Sequence, residues 1–228
     1  MIFFAYNFKH KKTIDFISHC HHKGIKIDLI IAQNKKKLKV SKLPFEYKTF
    51  EEPIIHPKDL AEELNIQYCI SDHNSDKTAS ILDDIKPKIG MIAGARIIPV
   101  EIINKFSSGI INFHPGDIPE IRGLHSILRA IKKNKRIIVT SHLIDSKIDA
   151  GNIIEKKEVN LNRDDTIFDV SNKTYRTELD LIESSYNKVS NGHYKKVNIA
   201  NYPYDSSPPY NSLKNFEEDF EIYKNKIL

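Results

Sequence analysis

The stretch Gly109–Gly123, GIINFHPGDIPEIRG, holds the residues best suited to chemistry in this 228-residue chain. An apolar run reaching Phe113 carries two polar side chains, Asn112 and His114, spaced by one residue. On a strand that spacing puts both on one face, because strand side chains alternate. An amide can donate to an oxygen on which negative charge develops, and an imidazole can take a proton near neutral pH. Pro115 and Pro119 stiffen the turn that follows. The same Asn and His are equally able to satisfy backbone groups of the turn, so this segment alone leaves both readings open.

A second polar segment, Asp145–Ile154 (DSKIDAGNII), follows the apolar run Ile137–Ile144. Asp149 lies in it, just ahead of Ala150-Gly151. An Asp near a Gly is by itself an ordinary turn. Beside the first segment, it offers a carboxylate that can set an imidazole's tautomer and raise its basicity. Asn, His and Asp on adjacent strand ends then make a site for proton-coupled group transfer.

The elements that must position them alternate. Strands are expected at Ile2–Tyr6, Ile25–Ala32, Ile66–Ser71, Lys88–Ala93 and Gly109–Phe113, with helical stretches near Lys11–Lys23, Lys58–Leu64, Asp76–Ile85 and Pro99–Lys105 between them. Continuous Val/Ile runs separated by helices predict an α/β, Rossmann-like, mostly parallel sheet covered on both faces. In such sheets ligands bind outside the carboxyl ends of the strands. After Gly123 a helix to about Lys133 has Leu124, Ile127, Leu128 and Ile131 at helical spacing. Strands at Ile137–Ile144 and Asn152–Val159 follow, then one long helix at Thr166–Asn191 capped by Asp164 or Asp165, and a short helix from Leu213. The division is a catalytic domain over 1–195 and a loop-and-helix elaboration over 196–228.

Composition narrows the class. An apolar fraction of 40% with no membrane-length run predicts a soluble protein. The apolar start MIFFAYNF lacks the marks of a signal peptide. Two cysteines are too few for a disulfide framework, which suggests a reducing cytoplasm. The net charge of +5 sits in lysine runs such as Lys35-Lys36-Lys37, read as a solvated face and not as a nucleic-acid surface. His19-Cys20-His21-His22 resembles a metal cluster, but consecutive helical residues diverge by about 100°. His56, His73, His125, His142 and His193 read as packing or surface residues. No Gly-x-Gly-x-x-Gly or P-loop is present.

The run from Ile89 to Val159 resembles the folate-dependent formyltransferases. Their Asn-x-His-Pro loop with later Pro and Gly is matched by Asn112, His114, Pro115, Pro119 and Gly123. Their cofactor segment is matched by Arg96-Ile97-Ile98, and their Asp-x-Gly loop by Asp149 and Gly151, after Val139-Thr140-Ser141-His142. The resemblance implies that Asn112, His114 and Asp149 are the catalytic trio. It implies 10-formyltetrahydrofolate as co-substrate, held by backbone around Arg96, Ile97, Ile98, Asp145 and Ile148, with no metal. It also implies a homodimer.

Three acceptor classes compete. Methionyl-tRNA formyltransferases carry a sizeable second domain and a His-Ala-Ser loop, where this chain has little sequence after Val159 and has His114-Pro115-Gly116. Glycinamide ribonucleotide transformylases place a Gly-Ser-rich phosphate loop after the first strand; here Ala5-Tyr6-Asn7-Phe8-Lys9 stands there without glycine. Gly123-Leu124-His125 nevertheless resembles the purine enzyme. Sugar N-formyltransferases share His-Pro-Gly and Arg-Gly, found here as Arg122-Gly123. The expectation is therefore formyl transfer to a nucleotide-linked amino sugar, thymidine-linked, for surface polysaccharide. Arg122 and Gly123 are expected at the acceptor pocket, with Tyr202, Tyr204 and Tyr210 of the tail read chiefly as surface packing. The rival class is a folate- or nucleotide-binding module without turnover.

Overall fold

The computed structural model describes residues 1–36, 55–200, 202, 204 and 216–228. Seven strands form one sheet in the order β3-β2-β1-β4-β5-β6-β7. They are β1 (Ile2–Tyr6), β2 (Leu29–Gln33), β3 (Gln67–Ile70), β4 (Ile89–Ile92), β5 (Gly109–His114), β6 (Ile138–Leu143) and β7 (Ile153–Glu158). The first five pair in parallel, and β6 and β7 run antiparallel to their neighbours. This is the expected Rossmann-like, mostly parallel α/β architecture.

Alternation along β1 explains the layering. Phe3 and Ala5 join one core with Phe16 and Ile17, while Ile2 and Phe4 join a second core with Leu82 and Ile102. Those helical residues belong to α1 (Lys11–His22), α3 (Asp76–Ile85) and α4 (Val100–Ile103). Both faces are therefore covered, as a parallel sheet requires. Phe16 meets Phe113 edge-on with centroids 5.4 Å apart, fixing α1 against β5.

The remaining helices are α2 (Pro57–Glu63), α5 (Ser126–Lys132), α6 (Ile167–Asp180), α7 (Ile182–Ser190) and α8 (Phe216–Ile227). Several boundaries differ from the sequence reading for physical reasons. Strand β2 begins at Leu29, not Ile25, because its register partner is Ile2, where β1 itself begins. The helix expected over Thr166–Asn191 is two helices meeting at Leu181, where Leu181 and Ile182 are both buried. Its cap is Thr166 in a reciprocal box with Asp169, not Asp164 or Asp165. Asp165 instead accepts from Asn162 N and pairs with Lys173 at 2.6 Å. The expected helix start at Leu213, Lys37 and Tyr210 lie outside the described residues.

Candidate active site

Strand β5 ends in Asn112 and His114, both on the wall of a cleft of about 390 Å³. On one side the cleft is bounded by Ala95 to Ile98, just past β4. On the other lies the loop from Ile144 to Asp149. This is the carboxyl-end location that an open α/β sheet favours. The expected cofactor positions Arg96, Ile97, Ile98, Asp145 and Ile148 all line it.

Asp149 arrives by a route that strand order alone does not suggest. Because β6 is antiparallel, it ends beside the first half of β5, with Leu143 opposite Ile111. The loop leaves where Ile144 N donates to Ile110 O at 2.9 Å and closes where Leu143 N donates to Asn152 O at 2.8 Å. Between these points it folds back until Asp149 Oδ2 lies 3.4 Å from His114 Nδ1. Two backbone features permit this. Asp149 adopts φ +47, tolerated by Asp better than by most residues, and Gly151 lacks a Cβ that would lie 1.6 Å from Leu143 O.

The state of His114 follows from its neighbours. Its Nε2 lies 2.9 Å from Ile121 O, and a carbonyl can only accept, so Nε2 carries the hydrogen. That leaves Nδ1 to take up the second proton, facing a carboxylate that can pair with the ring once it is charged. Gly116 makes this orientation possible: a Cβ there would lie 2.5 Å from His114 Nε2 and 2.7 Å from Ile121 O. Thr140 braces the turn, donating to Gly116 O at 2.7 Å and accepting from Ile118 N at 3.3 Å. Gly123 N donates to Asp149 Oδ2 at 2.8 Å and so holds the carboxylate in place.

Two histidines read as packing residues stand at the site. His142 is fully buried opposite Asn112 in the β5–β6 register, and its Nε2 lies 3.2 Å from Asn112 Nδ2 and 3.8 Å from Asp149 Oδ1. Burial pushes its pKa down to about 4, against the opposing pull of Asp149. A neutral ring with a free lone pair is what the Asn112 amide needs as acceptor. The signal for His142 was the alternation of β6, which sets Thr140 and His142 on the face carrying Asn112 and His114. His125 lines the cleft and caps the start of α5 with φ +58.

Other sequence expectations resolve differently. Gly123, expected at the acceptor pocket, lines the cleft. Arg122 does not face it: the side chain is buried and donates to Ile148 O and Tyr202 O. Tyr204, read as surface packing, lines the cleft mouth. In the His19–His22 run, Cys20 is in the core while His21 and His22 are exposed, so these side chains diverge. His73 is a buried core histidine, with pKa pushed down to about 4 by burial, and His56 caps α2. Among the described residues no group of three His, Cys, Asp or Glu is arranged to hold a metal, and no helix is long and apolar enough to cross a membrane.

A doubly wound sheet brings an amide, an imidazole and a carboxylate together at a carboxyl-end cleft, the place where sheets of this kind bind ligands. The formyl transferase family model matches residues 7–184, and the chain belongs to that family. Over 138 residues it is 30% identical to a methionyl-tRNA formyltransferase of Halothermothrix orenii, covering 59% of this chain and 44% of that one. The chain spans about half the length of the curated relatives it matches. A sugar N-formyltransferase from Shewanella sp. superposes with TM-score 0.64 at 20% identity, covering 100% of this chain and 87% of that chain. A phosphoribosylglycinamide formyltransferase from Bacillus halodurans superposes with TM-score 0.61 at 20% identity, covering 82% and 94%.

Proposed function

We propose that this protein transfers a formyl group from 10-formyltetrahydrofolate to the amine of a nucleotide-linked amino sugar, with Asn112, His114 and Asp149 at the reacting centre. The observation that carries the reading is the 3.4 Å approach of Asp149 to His114 Nδ1 on the wall of the cleft that also holds Asn112.

The lining of the cleft supports folate as its occupant. Exposed Ile97 and Ile148 offer apolar surface for a flat ring, and polar residues such as Arg96 and Asp145 line the same cleft. The bound folate supplies an activated formyl group. His114 Nδ1 takes the proton that the attacking amine must lose, a role worth about 10²–10⁴-fold in rate. Asp149 stabilises the imidazolium that results, and that proton is returned to the departing folate nitrogen as its bond to the formyl carbon breaks. Asn112 donates its amide N–H to the formyl oxygen as charge develops there, and such a donor is worth roughly 10²–10³-fold.

The amino-sugar acceptor rests on His114-Pro115-Gly116, on Arg122-Gly123, and on the start of α1. There the His10 side chain accepts from Thr13 N at 3.3 Å. That occupies a helix-start N–H which a phosphate loop would leave open. The competing reading, glycinamide ribonucleotide, has Gly123-Leu124-His125 in its favour. A surface-polysaccharide role and a cytoplasmic homodimer accompany the amino-sugar reading as expectations.

The test is direct. Purified protein and 10-formyltetrahydrofolate are incubated with amino nucleotide sugars, glycinamide ribonucleotide and methionyl-tRNA, and each product is read by mass. Formylation of an amino sugar supports the reading; transfer to glycinamide ribonucleotide or methionyl-tRNA alone overturns the acceptor assignment. No transfer and no folate binding would overturn the activity itself.

A further inference from the structure

Arg122 is a buried cation that, among the described residues, has no carboxylate on its guanidinium. Its Nε and Nη2 both donate to Ile148 O, at 3.0 and 2.5 Å, and Nη1 donates to Tyr202 O at 2.9 Å. Ile148 immediately precedes Asp149, and Tyr202 lies two residues before Tyr204. One rigid fork therefore ties the loop that carries Asp149 to the tail segment that carries Tyr204. The neighbouring Gly123 adds a second grip, because its N–H donates to the Asp149 carboxylate.

Tyr204 is seated by the same pair. Its ring rests on the bare face of Gly123, where a Cβ would lie 2.6 Å from Cε2, and 5.8 Å from the Arg122 guanidinium carbon. The ring is part of the cleft wall, beside Gly123.

We infer that Arg122 is a positioning residue that locks the Tyr204 segment to the Asp149 loop, so that the acceptor-side wall and the reacting centre are set as one unit. The inference rests on the formyl-transfer reading for its kinetic consequences only. Two carbonyls some fifty residues apart in sequence share one donor, and a buried guanidinium that lost either would leave part of its charge unsatisfied. A wall of this kind packs a ring of the acceptor, a sugar or a nucleobase, against Tyr204.

The kinetic test uses Arg122→Lys, Tyr204→Ala and the double variant in the full chain. A lysine is a point donor and cannot span both carbonyls, so kcat falls, on the order of 10²-fold for misplacement of the reacting groups. Acceptor KM rises with it. Tyr204→Ala raises acceptor KM about tenfold and leaves kcat within about threefold, the effect of losing one packed ring. In the double variant Tyr204→Ala adds less than about twofold, because the ring is no longer held. Additive effects, or Arg122→Lys with wild-type kcat and KM, overturn the proposal.

A second measurement needs no activity and also guards against a variant that merely folds poorly. Hydrogen exchange of the amides at 146–151 in Arg122→Lys should accelerate at least about tenfold while β1 and β4 keep their protection. Unchanged protection in the loop refutes the lock, whatever the assay gives. If the wild type formylates nothing, the functional reading fails and the exchange result alone decides the role of Arg122.

Discussion

Asn112 and His142 sit directly opposite each other across the antiparallel β5–β6 pair, and their side chains meet at 3.2 Å. The fully buried imidazole stays neutral, so it can accept one amide hydrogen of Asn112 and leave the other for the formyl oxygen. His142 thus acts through Asn112. His142→Phe removes the acceptor and is expected to lower kcat about tenfold, the worth of one hydrogen bond. His142→Gln, which keeps an acceptor, should recover most of it. Equal loss in both variants, measured at matched folate occupancy, would separate His142 from Asn112.

His114→Asn and Asp149→Asn address the centre itself. His114→Asn removes the base at Nδ1 with a smaller side chain, and Asp149→Asn, nearly isosteric, removes the carboxylate charge 3.4 Å from it. Turnover should fall by about 10²–10⁴-fold in His114→Asn. Folate binding, followed by fluorescence, should change little, since the ring contacts are assigned to other residues. Wild-type rates in either variant would remove these residues from the mechanism.

How much of this was readable beforehand depends on whether the determining force is local. Asn112 and His114 are set by strand alternation, a rule of period two, and the sequence places them on one cleft wall without further information. Asp149 was identifiable only as a turn. That it reaches His114 depends on β6 running antiparallel and on the absence of a Gly151 side chain, both tertiary facts. His142 looked like packing because its partner is thirty residues away in the chain. Arg122 looked like a ligand contact because nothing local indicates that Ile148 and Tyr202 turn their carbonyls toward it. The Thr166–Asp169 box was present as a Thr-x-x-Asp pattern; the adjacent Asp164 and Asp165 masked it.

Stability should depend on pH through buried histidines. His73 and His142 have pKa values pushed down to about 4 by burial, below the unfolded value near 6.5. Between those values the unfolded chain binds protons that the folded chain refuses, so stability rises with pH across that window and is lost as pH falls from about 6.5 toward 4. Each histidine contributes a slope of up to about 1.4 kcal/mol per pH unit. Urea midpoints at pH 7, 6 and 5 should fall in turn, and His73→Gln should flatten the decline. A flat profile across this window would show that neither ring is kept neutral by the fold.

Gly151 and Gly116 make opposite demands on the same experiment. A methyl at 151 meets backbone, 1.6 Å from Leu143 O, and backbone cannot move without opening the base of the Asp149 loop. Gly151→Ala should therefore cost on the order of 3 kcal/mol of stability, the upper range for overpacking. A methyl at 116 meets the His114 ring at 2.5 Å as well as Ile121 O. The ring can rotate away, so Gly116→Ala relieves part of its clash by breaking the Nε2 bond to Ile121 O that fixes the tautomer. Its signature is a smaller loss of stability than in Gly151→Ala, about 1–3 kcal/mol because the 2.7 Å approach to Ile121 O remains, with turnover reduced by more than tenfold, on the order expected for a displaced base. If Gly116→Ala instead unfolds the protein while Gly151→Ala is tolerated, the account of which neighbour yields at each glycine is wrong.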